Sequence, residues 1–306
     1  MFSPSWRSLV SVSCRPVLSF LLFTPLWLIP VFTWYGMQGF FQLIVFLPFQ
    51  IGAYLLTSSG LYFYMYAVFK RELFSLLNSM MAYITIGVFL LVSGLLLWVF
   101  PDTSILDYGY AELNGFFKLA PLLLLFFIPA FTMRSFAEER REGTYVLLAS
   151  KPVTEQQIIL AKYFAVLSMI AGALLPTGLY YYSISELGLP KGNIDGAAVA
   201  GSSTGLFLLG SSLAAIGLLA SAMARNQVVA FTIAVFFSFI AYMGFDALAK
   251  LAVFGYPETI FSWLSMNTHF ESMSRGVLDT RDIIYFISFI FLFLGLTRMV
   301  IGGRKW

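Results

Sequence analysis

An uninterrupted apolar run of about 20 residues can cross the bilayer core only as a helix, because the core holds no water to bond an open backbone. This chain carries six such runs, near 80–100, 117–133, 155–180, 198–224, 228–248 and 283–301. Transmembrane β-barrels use segments of roughly ten residues with alternating polarity, and no such segments occur here. The expected fold class is all-α: a polytopic membrane protein with six spanning helices and an additional hydrophobic region at the N-terminus. Charged residues make up only 11% of the chain, against roughly 25% in an average soluble domain.

The densest charge lies between the second and third runs, in MRSFAEERREGTYVLLASKPVTEQQ, residues 133–157. Each charge at the centre of a membrane helix costs about 2.5–3.5 kcal/mol on insertion scales, so this segment is expected to be a soluble hinge. Gly143 should break its charged helix, and Thr144 can cap a short helix through Ala149. Thr154 with Gln157 three residues later fits a capping box for the third span. Glu138, Glu139 and Glu142 offer acceptors for arginine or lysine on another chain, and residues 145–148 add an apolar strip beside them. The same charges could equally serve only to solvate a loop.

Around these runs the text varies. Residues 1–64 hold two charges, Arg7 and Arg15, and five prolines. They read either as an extra pair of hydrophobic helices or as a stretch ahead of a true start at Met65. From Met65 an amphipathic pattern places Val68, Phe69, Leu73, Leu76 and Leu77 on one face, which suits a helix in the membrane interface. Pro121 and Pro129 predict a kink in the second span, and Tyr180, Tyr181 and Tyr182 an aromatic belt at the end of the third. Lys162 is expected near the mouth of that span. The fourth run spaces small residues four apart: Gly201 and Gly205, Gly210 and Ala214, Gly217 and Ser221. This allows close helix packing, within the chain or at a subunit contact. Asp246 and Lys250, one turn apart, suit a surface ion pair better than a proton relay.

No Gly-Lys dipeptide occurs, so the chain has no phosphate-cradling Walker A loop. One cysteine, Cys14, and one histidine, His269, exclude a disulfide framework and a cysteine or histidine metal cluster. The chain is therefore expected to be non-catalytic, to bind no cofactor and no metal, and to draw energy from a partner. A lipid-modifying enzyme is the rival, with His269, Glu271 and Asp279 as its only available cluster.

From Met65 on, placing the hinge inside puts eleven Lys/Arg on the cytoplasmic side, at 70, 71, 134, 140, 141, 151, 162, 225, 298, 304 and 305, against five outside at 118, 191, 250, 275 and 281. Basic residues favour the cytoplasm, so both ends of the 65–306 core are expected there.

The stretch FTMRSFAEERREGTYVLLASKPVTEQQIILAKYFA resembles the ABC-2 type transporter permeases. Its FKREL from Phe69, WVFP at 98–101, ILDYGYAELNGFF, and HFESMSRGVLDTRDIIYF from His269 are most similar to the gliding-motility-associated permeases of the GldF type. The resemblance covers about residues 65–305, and such permeases begin near the position of Met65. It implies a six-helix ABC-2 type transmembrane domain in the inner membrane that serves an ATP-driven transporter. Its coupling segment for a separate ABC ATPase would comprise Arg134, Glu138, Glu139, Arg140, Gly143 and Thr144. A second permease copy or a related permease, an auxiliary gliding-motility transport protein and membrane lipid would be the other partners, with no nucleic acid. His269, Glu271, Arg275, Gly276 and Asp279 would form a structural motif at the outer face. A membrane scaffold of a motility or secretion machine, without transport of its own, is the alternative.

Overall fold

The computed structural model describes residues 60–99, 112–144, 154–188, 194–250, 261, 263–276 and 278–303, within one compact unit from Leu56 to Trp306. The expectations for residues 1–59, for the apolar strip at 145–148 and the short helix through Ala149, and for Arg304 and Lys305 lie outside the described residues.

The described chain is helical, and six of its segments are long and apolar enough to cross a membrane. Helix α1, Gly60–Leu77, precedes the first of them. The spans are α2, Met80–Trp98; α3, Asn114–Thr132, which runs on through α4, Arg134–Glu142; and α5, Glu155–Leu174, continued by α6, Gly178–Leu187. They are followed by α7, Gly196–Met223; α8, Gln227–Phe239, continued by α9, Phe245–Lys250; and, after the short α10, Met266–Ser274, by α11, Thr280–Gly302. At 1.5 Å per residue α3 alone is about 28 Å long, close to the hydrocarbon thickness of a bilayer.

Local chemistry sets the helix ends. Thr154 and Gln157 form the full capping box at the start of α5, and Asp195, Asn226 and Asp279 accept first-turn N–H groups of α7, α8 and α11. Pro176 cannot donate to the helical ladder, and there α5 passes into a 3-10 turn, Leu175–Thr177, before α6 resumes. The fifth span widens to a π turn at Ile240–Gly244.

Helix α7 is the axis of the bundle. It packs against α3, α4, α5, α8, α10 and α11, and 83% of its spanning window is buried, against 17% for α11. The small-residue spacing is what permits this. A Cβ on Gly201 would sit 2.6 Å from the Met273 carbonyl oxygen of α10, and one on Gly217 would run into Thr132 of α3. The spaced small residues thus serve packing inside the chain.

Two expectations change in the fold. The apolar stripe of α1, with Val68, Phe69, Leu73 and Leu77 buried, lies along α5 and is covered by protein. Tyr180 leaves the predicted belt: it turns inward, donating to the Leu90 carbonyl at 3.1 Å, because α6 packs its phenol beside the Ser93 hydroxyl of α2. Tyr181 and Tyr182 stay exposed.

Candidate functional site

The described first part of the hinge, Arg134–Glu142, is a helix docked on the bundle. At the break between α3 and α4, Ser221 of α7 accepts hydrogen bonds from the Phe136 and Ala137 N–H groups at 3.0 and 3.2 Å. The same hydroxyl donates to the Met133 carbonyl at 3.1 Å. One side chain thereby satisfies two N–H groups that the start of α4 leaves open and a carbonyl that the end of α3 leaves open. Arg134 donates to the Ser79 hydroxyl ahead of α2 at 2.7 Å, and Arg140 to the Ala224 carbonyl at the end of α7 at 3.2 Å. A cation at a helix C-terminus is favoured by the helix dipole.

A charge cluster lies beneath α4. Lys162 of α5 is 1% exposed; its Nζ lies 3.1 Å from Glu72 Oε2 of α1 and 3.0 Å from Glu139 Oε1 of α4. It also donates to the Ser135 carbonyl at 2.6 Å and stands over the Phe136 ring, 5.1 Å from its centroid. Arg71 closes the arrangement, 2.8 Å from Glu72 and 2.6 Å from Glu139. Two cations and two carboxylates balance, which is the condition for keeping charge out of water. Burial alone would push the Glu72 carboxyl up, but Lys162 and Arg71 beside it outweigh that and hold it below the usual carboxylate range.

Helix α4 ends at Gly143, whose φ of 70° is left-handed. The Gly143 N–H reaches the Arg140 carbonyl and the Thr144 N–H the Glu139 carbonyl, a Schellman closure. The six residues of the expected coupling segment therefore divide. Arg134, Glu139 and Arg140 are engaged inside the protein, so Glu139 is not an open acceptor for another chain. Glu138 is half-buried, and Gly143 and Thr144 are exposed together with Arg141 and Glu142.

At the other end of the bundle the second motif also separates. His269 Nδ1 is 2.7 Å from Asp282 Oδ1 and Nε2 is 2.9 Å from the Trp263 carbonyl, with the ring stacked on Tyr285 at 3.9 Å. A carbonyl only accepts, so the Trp263 contact is a hydrogen bond donated by the Nε2–H group. Asp279 instead caps α11 through the Arg281 N–H, and Glu271 accepts from Asn267 at 3.0 Å. His269, Glu271 and Asp279 share no partner, and no group of three or more His, Cys, Asp or Glu fit to hold a metal occurs among the described residues. Gly276, at φ +84°, lies where a Cβ would press on the Ala198 backbone.

Residues 68–241, more than half of the chain, match the family model described as ABC-2 family transporter protein. The chain belongs to this family. It is a multi-pass permease, the transmembrane subunit of an ABC transporter, a class that associates with an ABC ATPase. No curated protein matches it. The matched residues run from α1 into the π turn of the fifth span and include every member of the charge cluster.

Glu72 and Ser221 escaped the sequence reading as partners of the hinge, and the Ser135 carbonyl as a partner of Lys162. One signal was present, a lysine in an otherwise apolar run at position 162. Such a residue needs a carboxylate nearby, but sequence spacing does not say which one.

Proposed function

We propose that this permease receives the stroke of a separate ABC ATPase on the exposed rim of α4 and passes it to the spans as a rigid-body movement. The observation that carries this reading is the anchoring of α4. Lys162 ties it to α1 and α5, and Ser221 ties its first turn to the central α7. A push on α4 would therefore move three helices, whereas a loop would absorb it. Glu138, Arg141, Glu142 and Thr144 form the contact rim. Rigid elements with discrete arrangements are what carry such coupling.

In this reading both ends of the 65–306 core face the cytoplasm and the membrane is the inner one, in keeping with six spans and the basic-residue excess. A second permease subunit, identical or related, completes the transport path. The likeness of the His269–Phe286 stretch to GldF-type permeases supports a role in gliding motility, together with an auxiliary transport protein.

The test is a pull-down of the tagged chain from its native cells, with mass spectrometry of what accompanies it. A Walker-motif ATPase should co-purify with the wild type and be lost from Glu138→Lys with Glu142→Lys, while the variant keeps its thermal stability. Retention of the ATPase by that variant would defeat the contact rim.

A further inference from the structure

A cavity of about 400 Å³ opens far from the hinge, where the first turns of α3 and α7 meet α10. Lys118 and Arg275 line it with Glu271, Asn267, Phe117 and Phe270. The Lys118 and Arg275 side chains are exposed and carry no ion pair or hydrogen bond among the described residues. The one carboxylate in the wall, Glu271, is occupied by Asn267. Helix α3 also begins here behind Leu113, which has no side-chain acceptor, so its first-turn N–H groups lack a side-chain cap. Opposite, Phe117 and Phe270 are buried and make one wall apolar.

Two cations without an ion pair among the described residues, together with the positive end of a long helix, attract an anion with several oxygens. The aromatic wall adds a place for an apolar body beside it. We propose that this cavity binds an anionic phosphate group, held by Lys118 and Arg275, with the apolar part of its carrier against Phe117 and Phe270. The group can come from a membrane lipid or from a soluble phosphate ester. The site stands whether or not an ATPase docks at α4.

The experiment uses the full chain in mild detergent and native mass spectrometry with three probes: phosphatidylglycerol, diacylglycerol of the same acyl chains, and glycerol 3-phosphate. Phosphatidylglycerol should be retained and diacylglycerol should not. Lys118→Gln with Arg275→Gln should weaken retention by about tenfold or more, the scale of lost charged hydrogen bonds. Displacement by millimolar glycerol 3-phosphate would assign the site to soluble esters, and resistance to it would assign the site to lipid. Equal retention of diacylglycerol, or unchanged retention in the double variant, overturns the proposal. Glu271→Gln guards against misfolding of that variant: removing the wall's one negative charge should strengthen retention, and no change overturns the proposal as well.

Discussion

Lys162 of the third span lies 3.1 Å from Glu72 of the helix ahead of the first span, and its nitrogen is shared with Glu139 of the hinge at 3.0 Å. Three segments far apart in sequence are thus closed around one buried cation. Replacing a buried ion pair as a whole is often tolerated, whereas removing one partner strands the other.

Lys162→Met should accordingly destabilise the permease by about 3–5 kcal/mol, since Glu72 and Glu139 lose their buried cation together. Thermal unfolding in detergent measures this, with Arg141→Met on the exposed rim as a neutral comparison. Equal unfolding temperatures for the two variants would sink the claim.

Acid should loosen the same cluster. The Glu72 carboxyl lies below its ordinary value of 4.5 in the folded protein, so on acidification the unfolded chain takes up that proton first. Its contribution to stability is complete at neutral pH and is lost as pH falls below about 4.5, through the folded value. Unfolding temperature against pH should decline less steeply in Glu72→Gln than in wild type across that window.

Ser221→Ala removes one hydroxyl and leaves the Phe136 and Ala137 N–H groups and the Met133 carbonyl without their partner. The expected cost is about 1–3 kcal/mol for buried polar groups left open. Amide exchange at Phe136 and Ala137 should accelerate first, while α11 amides keep their wild-type rates. Unaltered exchange at those two positions would show that the hinge is held by other means.

The close approach of α7 to α10 predicts a contrast between two glycines. Gly201→Ala places a methyl 2.6 Å from the Met273 carbonyl oxygen, whereas a Cβ on Gly87 of α2 meets nothing within 4 Å. Overpacking costs about 1–3 kcal/mol, so Gly201→Ala should lower the unfolding temperature and Gly87→Ala should leave it unchanged or raise it.

Much of the helix chemistry was legible one residue at a time. The capping box at Thr154 and Gln157 and the stop at Gly143 follow from local hydrogen bonding and backbone freedom, which the nearest few residues determine. The inward turn of Tyr180 was not legible, because its acceptor, the Leu90 carbonyl, belongs to another helix.

By itself the sequence determined the class and the crossings: long apolar runs must be helices where the backbone has no water to bond. It also marked residues 133–157 as exceptional, because charge is costly beside lipid. Which of those charges would face a partner was decided only in three dimensions. Glu138 and Glu139 are neighbours of the same type, yet one is left on the rim and the other is taken by Lys162 and Arg71. That choice depends on how α1, α4 and α5 pack, and a buried cation must take the carboxylate that packing brings within reach.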